Sequence, residues 1–308
     1  MPSSPSRRVG LLVNPSAGRG RGAAHGRRAR ARLVADGHDV QDVSGAGLED
    51  ARALAAAAIA SGAIDVLCVV GGDGVVHLGV NLCAGTDVPL AVVAAGTGND
   101  NARALGLPVH RPESAAALVA EGHLRTIDAG RCVCADDSVR WWLGVLGGGF
   151  DSVVAERAAR WTWPPGPLRY VLAVLRELPA FTAIPYAVTV DGVRHQTEAM
   201  LVAVANGPAF GGGMLVCPDA EYDDGLLDVL ILHKVSVLEL LRLLPKVFRG
   251  AHLSHPRVEL VQGRRVRLEA RGIVTQADGE RFEPLPIDVE IVPGALRVVA
   301  PRRASPLT

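Results

Sequence analysis

The sequence has few cysteines, no long uncharged apolar run and no excess of either charge. Its five cysteines in 308 residues are an odd number in a long chain, which argues against a disulfide framework. Cys132 and Cys134 are spaced to share one face of a strand rather than to form a zinc knuckle. There is no run of about 18 uncharged apolar residues, as a membrane-spanning helix requires, and MPSSPSRRVG at the start lacks the apolar segment of a secretory signal. We therefore expect a cytoplasmic protein.

The charge balance limits the classes of partner. Lys and Arg total 32 and Asp and Glu also total 32, so the net charge is close to zero. Because nucleic-acid-binding domains are usually strongly basic, we expect no nucleic-acid partner. One basic stretch, GRGRGAAHGRRARARL at 18–33, has two interpretations that stay open. It is either a solvated helix face or a region that attracts phosphates or anionic lipid.

The first part of the chain, residues 1–127, alternates apolar runs with helical patterns. Two helical patterns are clear, an alanine-rich one at 48–62 and one at 112–122 that has Pro112 in its first turn. Alternation of strands and helices predicts a doubly wound parallel sheet. The predicted strands are 9–14, 38–44, 64–70 and 88–96.

The pattern changes near residue 128. Residues 128–292 are rich in short segments that alternate with a period of two, and 186–207 contains an Asp-Gly pair between two such segments. Asp-Gly between alternating segments predicts a β-hairpin. One helical pattern, at 236–250, interrupts the strands. We therefore predict a second, antiparallel β-rich domain.

Three glycine-rich turns follow predicted strands of the first domain: NPSAGRG at 14–20, GGDG at 71–74 and AGTGND at 95–100. In an open parallel sheet, ligands bind outside the carboxyl ends of the strands. Glycine lets backbone N–H groups approach an anion closely. Three such turns at one edge predict a nucleotide phosphate site.

None of these turns is a P-loop, because no Gly-Lys-Ser or Gly-Lys-Thr is present, and the G-x-G-x-x-G pattern also fails after the first strand. A different cation must therefore neutralise the phosphates. Asp73 is the candidate that recruits Mg²⁺, either directly or through water, and its alternative role is that of a turn or helix N-cap residue. Thr97 and Asn99 can donate to a phosphate or ribose, and Asp100 can cap the helix that follows.

The second domain adds two acidic turns. Asp223, Asp224 and Gly225 form either a plain hairpin turn or a cation site built from a carboxylate and carbonyl oxygens. TQADGE at 275–280 places Asp278 beside a glycine. Asp278 is either another turn residue or a general base that takes a proton from an attacking hydroxyl.

The motifs NPSAGRGRG, GGDGVVHLGVN, AGTGNDNARALGLP, FGGGMLVCPDAEYDDGLLDV and QADGE together resemble the diacylglycerol kinase and sphingosine kinase superfamily, in particular its bacterial lipid kinases. The resemblance covers nearly the whole chain. It implies an α/β nucleotide-binding domain over 1–127, to which 293–308 returns, and a β-sandwich domain over 128–292, the fold that NAD kinases and diacylglycerol kinases share.

The resemblance also implies roles for individual residues. Asp73 would hold the Mg²⁺ of the nucleotide through water, and Asp278 would be the catalytic base. A second, structural Mg²⁺ would be held by Asp224 and by the backbone carbonyls of Glu221 and Leu226. The residues that would bind ATP are Asn14, Pro15, Ser16, Ala17, Gly18, Ser44, Gly72, Asp73, Gly74, Val75, Val76, His77, Leu78 and Thr97.

The sequence departs from the family pattern beside Asp73. Many relatives have Thr where this chain has Val75, the bacterial branch often has Asn-Glu where it has His77 and Leu78, and Asn101 replaces an aromatic residue. Because Val75 has no hydroxyl to offer a phosphate, these positions motivate one alternative, a nucleotide-binding regulator without turnover. A second alternative is an NAD kinase-like enzyme with a soluble substrate, since NAD kinases share GGDG.

The function expected from the resemblance is ATP-dependent phosphorylation of a hydroxyl on a diacylglycerol-like or long-chain-base lipid. Such an enzyme takes its substrate from a membrane, so we expect peripheral association with a membrane surface. Apolar residues of 161–181, such as Trp161 and Trp163, are candidates for that contact, and the alternative is that both tryptophans belong to the core. The sequence is also compatible with a homodimer.

Overall fold

A computed structural model describes residues 6–134, 136–149, 157, 161, 172–173, 176 and 183–302. The chain divides into two compact units, one formed by residues 1–127 with 294–308 and the other by residues 128–293. The sequence predicts the boundary after residue 127 and the return at residue 293.

The first unit contains a parallel sheet of four strands in the order β2-β1-β3-β4. Every residue of β3 and β4 is buried, as expected for parallel strands that are covered by helices on both faces. The four strands are β1 (Arg8–Val13), β2 (Asp39–Asp42), β3 (Val66–Gly71) and β4 (Leu90–Ala94).

Within the described residues of the first unit, six helical segments accompany this sheet. They are α1 (Ala17–Gly20), α2 (Gly22–Ala35), α3 (Leu48–Ala60), α4 (Asp73–Cys83), α5 (Asp100–Ala104) and α6 (Pro112–Glu121). Helix α2 packs against α6, and α3 packs against α4. With right-handed crossovers, the strand order reverses between β1 and β3, which makes the carboxyl ends of these two strands the expected ligand position.

The basic stretch at 18–33 forms most of α2. Two of its arginines make ion pairs, Arg28 with Glu113 and Arg32 with Asp36, and most of its other arginines are exposed. The stretch is therefore a solvated helix face that carries ion pairs. An additional attraction to anions stays a prediction.

The second unit is built from antiparallel strands. Helix α7 (Val237–Val247) lies between β10 and β11 in the chain. The strands are β5 (Leu124–Val133), β6 (Val139–Trp142), β7 (Val145–Gly149), β8 (Ile184–Val190), β9 (Val193–Ala205), β10 (Leu227–His233), β11 (Val258–Gly263), β12 (Arg265–Glu269), β13 (Val274–Ala277), β14 (Glu280–Pro284) and β15 (Ile287–Val299). Strand β5 begins and β15 ends in the first unit, where Val298 pairs in parallel with Leu90.

Strand β9 is the centre of the second unit. Its residues 199–205 pair with β10 and its residues 201–205 also pair with β7, while residues 193–199 pair with β8. Successive side chains point to opposite faces of a sheet, so Val202 and Val204 enter one core cluster while Ala203 and Ala205 enter another. Both faces of β9 are therefore buried.

The Asp-Gly hairpin predicted at 186–207 is confirmed. Asp191 and Gly192 join β8 to β9 with φ of 46° and 87°, which are the left-handed values of a type I′ turn. Asp278 and Gly279 join β13 to β14 with φ of 53° and 85°, so they form the same kind of turn.

The cysteines can be compared with what the sequence predicts for them. All five cysteines are free and buried, which agrees with the absence of a disulfide framework.

Trp161 is partly buried against a core cluster of the second unit. Trp163 and most of 161–181 lie outside the described residues. In the part of the chain that the structure describes, no helix is long and apolar enough to cross a membrane.

Candidate active site

The three glycine-rich turns of the first unit meet at the carboxyl edge of its sheet. A side chain at Gly18 would collide with the carbonyl oxygen of Ala95, and one at Gly72 would lie 3.1 Å from the Cα of Gly96. A side chain at Gly96 would in turn overlap Gly72. These glycines are therefore required because the turns touch each other, in addition to any role toward an anion.

Asp73 joins two of these turns. Its Oδ2 accepts the backbone N–H of Asn99 at 2.7 Å, and its Oδ1 accepts that of Asp100 at 2.9 Å. Asp73 is the first residue of α4, and the two amides belong to the beginning of α5. The carboxylate thus caps a helix from another segment, 26 and 27 residues away in sequence. Gly98 must be a glycine here, because a Cβ would lie 2.6 Å from Oδ2 of Asp73.

The side chain of Asn99 makes hydrogen bonds within its own turn. Its side-chain oxygen accepts the N–H of Gly96 at 2.9 Å, and its amide nitrogen donates to the carbonyl of Gly96 at 2.7 Å. Asn99 is buried and has a left-handed backbone, with φ of 60°. Its side chain therefore closes the turn, and a contact with a ligand stays a prediction. Thr97, at the tip of the same turn, is exposed.

The turn after β1 is stabilised by its own side chains. Oδ1 of Asn14 accepts the N–H and the hydroxyl of Ser16 at 3.1 and 2.7 Å. The hydroxyl of Ser44, which follows β2, accepts the N–H of Val13 at 3.0 Å. Of this predicted group, Pro15 and Ser16 are exposed and Ala17 is half-buried. The structure thus brings Asn14 and Ser44 to the same end of β1.

The predicted ligands after Gly74 lie in the first turns of α4. Val75, Val76, His77 and Leu78 are all buried, each with an exposed fraction of 8% or less. The side chain of Val75 packs toward Gly71, and Nε2 of His77 lies 3.2 Å from the amide nitrogen of Asn81. What this segment can present to a phosphate is the N-terminal backbone of a helix, with Gly72 and Gly74 half-buried.

Two arginines at these turns were not identified from the sequence. Nε of Arg21 donates to the carbonyl of Gly18 at 3.0 Å, and Arg103 donates to the carbonyl of Gly98. Burial, followed by the positive charges of Arg21, His25 and Arg103, lowers the pKa of His110. Two basic side chains therefore lie beside the glycine turns, and Arg103 also forms an ion pair with Asp100 at 3.7 Å. Arg21 belongs to the basic stretch at 18–33 and Arg103 to α5, and tertiary packing brings both near His110.

Asp278, in the second unit, lies on the tight turn between β13 and β14. Its Oδ2 accepts the N–H of Leu143 at 2.9 Å and its Oδ1 accepts that of Gly144 at 2.7 Å. The carboxylate is 8% exposed. The two amide bonds fix the orientation of this carboxylate.

The acidic turn after residue 221 is held by Asp128, which sequence reasoning missed. Oδ2 of Asp128 accepts the N–H of Gly225 at 2.7 Å, and the N–H of Asp128 donates to the carbonyl of Tyr222 at 2.7 Å. The one sequence signal was an acid between apolar neighbours in an alternating strand. Within the turn, Oδ1 of Asp224 accepts the N–H of Leu226 at 2.9 Å.

The predicted metal ligands can be tested against this geometry. Asp224 and Glu221 are exposed and Leu226 is half-buried, in a turn anchored at both ends. Burial, followed by the negative charges of Asp224 and Asp219, raises the pKa of the neighbouring Asp228. A carboxylate and carbonyl oxygens in a negative environment fit Mg²⁺. Among the residues that the structure describes, however, no cluster of three or more acidic, histidine or cysteine side chains forms a metal site.

Comparison with known proteins places both units in one family. Residues 8–132 match the model of the diacylglycerol kinase catalytic domain. Residues 144–300 match that of the YegS C-terminal NAD kinase beta sandwich-like domain. The chain is 42% identical over 299 residues to a diacylglycerol kinase of Mycobacterium tuberculosis, with 96% of each chain covered. It is 29% identical to a diacylglycerol kinase of Bacillus subtilis, covering 77% of this chain and 78% of that one.

Solved structures show the same fold. The crystal structure of a diacylglycerol kinase from Bacillus anthracis matches with a TM-score of 0.70 and 21% identity, covering 96% of this chain and 97% of that one. The structure of an NAD kinase from Archaeoglobus fulgidus in complex with ATP matches with a TM-score of 0.54 and 14% identity, covering 96% and 94%. The predicted fold, an α/β domain with a β-sandwich domain, is confirmed.

The chain therefore belongs to the diacylglycerol kinase family. It is a phosphotransferase of the class that uses an alcohol group as acceptor.

We predict that Gly96→Ser separates the glycine turns. A Cβ at residue 96 would overlap Gly72 and approach Oδ1 of Asn99 to 2.9 Å, so the turns must move. Overpacking of this kind costs about 1–3 kcal/mol of unfolding free energy, measurable by urea denaturation, and nucleotide affinity should fall with it.

Gly47→Ser is the matched control for Gly96→Ser. Gly47 has an extended backbone at the start of α3, and nothing lies within 4 Å of its Cβ position. Serine is a favourable N-cap residue, so this variant should keep wild-type stability and nucleotide affinity. Equal stability of the two variants would contradict the contact between the turns.

Proposed function

We propose that the protein is an ATP-dependent lipid kinase that transfers the γ-phosphoryl group to a hydroxyl of a diacylglycerol-like or long-chain-base lipid. The observation that carries this proposal is the 42% identity, over 96% of both chains, to a diacylglycerol kinase. Kinase family membership supports ATP as the phosphate donor.

The geometry of the first unit supports a nucleotide phosphate site. The turns after β1, β3 and β4 meet at the reversal point of the strand order, where parallel sheets bind ligands. The helix α4 begins there, and its N-terminal backbone favours an anion. Arg21 and Arg103 add positive charge at two of these turns. We propose that they contribute part of the positive charge that a P-loop lysine supplies in other nucleotide-binding proteins.

Phosphoryl transfer depends mainly on positioning and on neutralising charge. Mg²⁺ would supply charge neutralisation on the phosphate oxygens, and Asp73 is the residue proposed to hold it through water. We infer that the Asp278 carboxylate takes the proton of the lipid hydroxyl. The hydroxyl oxygen then forms a bond to the γ-phosphorus, and the bond to the ADP oxygen breaks. Hydrogen bonds from Leu143 and Gly144 orient that carboxylate.

Two alternatives remain as outcomes of the test. An NAD kinase-like activity is suggested by the shared GGDG motif. A regulator without turnover is suggested by Val75, His77 and Leu78. These three side chains are buried inside α4. Substitutions at these positions therefore affect the packing of the helix more than they affect binding of a ligand. This favours the kinase over the regulator.

The experiment that tests the proposed function is a transfer assay with γ-³²P-labelled ATP. The acceptors are diacylglycerols, long-chain bases and NAD, each with and without Mg²⁺. We expect label in a lipid product, and none in NAD. Label in NAD alone would establish the NAD kinase alternative. ATP binding without label in any acceptor would establish the regulator.

We predict that Asp278→Asn lowers kcat by about 10²–10⁴-fold, the usual contribution of a general base, and leaves the KM for ATP nearly unchanged. Asparagine can accept only one of the two amide hydrogen bonds, so stability should also fall, by about 1–3 kcal/mol. Steady-state kinetics and urea denaturation measure the two effects separately.

Asp191→Asn controls for the structural part of this effect. Asp191 occupies the same kind of turn and accepts the N–H groups of Arg264 and Arg265 at 2.8–3.1 Å. This variant should lose stability and keep kcat. If Asp278→Asn retains a wild-type kcat, the assignment of Asp278 as the base is wrong.

We predict that Mg²⁺ without nucleotide raises the melting temperature through the turn at Asp224. Binding at tenfold above Kd adds about 1.4 kcal/mol, or roughly 2 °C for a chain of this size. Asp224→Asn should abolish the rise. Glu221→Gln should retain it, because the proposed ligand at residue 221 is the backbone carbonyl. An equal rise in all three proteins would exclude this site.

A further inference from the structure

Helix α7 exposes an unusual concentration of apolar side chains. Among the described residues, eleven large hydrophobic side chains are exposed, and four of them belong to α7 or the residue after it. The other seven are distributed over both units. Scattered exposed apolar residues are normal, whereas a cluster marks an interaction surface. The four are Val237, Leu238, Leu241 and Phe248, with exposed fractions of 45%, 56%, 37% and 37%.

The two faces of α7 differ because of helical spacing. Leu240 and Leu243 are buried in a core cluster that also contains alternate residues of β9 and β10. With 3.6 residues per turn, Val237, Leu241 and Phe248 share one side of the helix, and Leu238 lies at the centre of the outward face. The inner face therefore anchors the helix to the sheet, and the outer face is not needed for the core.

The charges on the outer face have one sign. Arg242, Lys246 and Arg249 are exposed and follow the apolar residues around the helix as a basic edge. Within the described part of the chain, none of the three forms an ion pair with an acidic side chain. The single acid of the helix, Glu239, is engaged in a capping box with Ser236.

We propose that the outer face of α7, defined by Val237, Leu238, Leu241 and Phe248 with its basic edge, docks on an anionic lipid bilayer. An amphipathic helix of this composition lies in the interface, with apolar side chains among the acyl chains and basic groups at the anionic headgroups. The proposal deepens the proposed function by naming the surface through which the kinase reaches its lipid substrate, and it rests on that function. It places the contact on α7 rather than at 161–181.

Charge favours the bilayer over a second copy of the chain. In a symmetric dimer through this face, the same patch would face itself, and the basic edges of two copies would approach each other. Like charges at an interface are destabilising. An anionic membrane surface instead complements the basic edge. Each basic residue near such a surface raises binding about fivefold, so three together amount to roughly a hundredfold.

The first test is co-sedimentation without nucleotide, using vesicles of phosphatidylcholine alone and of phosphatidylcholine mixed with phosphatidylglycerol. Wild-type protein should bind the mixed vesicles, and added salt should weaken binding. The double variant Leu238→Glu, Leu241→Glu should bind at least about tenfold more weakly. Both side chains are exposed, so its melting temperature should be that of the wild type.

The matched control is the double variant Val139→Glu, Val193→Glu. These valines are also exposed, at 46% and 61%, but lie on β6 and β9. Its vesicle binding should equal that of the wild type. Unchanged vesicle binding by the Leu238, Leu241 variant at a normal melting temperature would overturn the proposal. Conversion of a dimer to a monomer by that variant, with vesicle binding retained, would assign the face to a second copy.

The sequence offers a second readout that needs no substitution. Lys234 and Lys246 are the two lysines of the chain, one just before α7 and one on its basic edge. Mixed vesicles should slow the modification of Lys246 by an amine-reactive reagent several-fold, and phosphatidylcholine vesicles should not. Equal reactivity with and without mixed vesicles would contradict docking through this face.

Kinase activity separates failure of docking from failure of the proposed function. Toward a short-chain diacylglycerol dispersed in detergent, the Leu238, Leu241 variant should keep wild-type kcat, and toward diacylglycerol in mixed vesicles it should lose activity in proportion to binding. Vesicle binding by a protein that phosphorylates no lipid would leave the docking surface standing and remove the proposed function.

Discussion

The hydrogen bonds that the carboxylate of Asp73 accepts from the amides of Asn99 and Asp100 determine how the edge of the first unit is built. They tie the turn after β3 to the turn after β4 and require glycine at the positions where the turns touch. Because the amides are at a helix N-terminus, the carboxylate also stabilises the beginning of α5. These two hydrogen bonds therefore fix the geometry of the candidate phosphate site.

Two other aspartates of the chain make the same pair of hydrogen bonds. Asp278 and Asp191 each accept two consecutive backbone N–H groups from a distant segment. In each case a short side chain on a tight turn holds a second segment in place. The difference lies in the surroundings, because Asp191 is exposed and Asp278 is buried. A catalytic role for Asp278 therefore has to be separated from a structural role that Asp191 shows can exist alone.

The two proposed contacts of the protein use different physical effects. The nucleotide site depends on backbone dipoles and on a few fixed charges at the ends of strands, which need a rigid sheet behind them. The outer face of α7 depends on exposed apolar area and on several like charges, which need only a well-anchored helix. Leu240 and Leu243 provide that anchor by packing against the sheet.

The sequence by itself determined the order of the elements, both domains' fold class and the motifs of the family, because local periodicity and glycine or Asp-Gly turns act over a few residues. It also singled out Asp73 and Asp278. The backbone amides that these two carboxylates accept hydrogen bonds from were decided by tertiary structure. Those contacts join segments far apart in the chain, and no local pattern encodes which of them will meet.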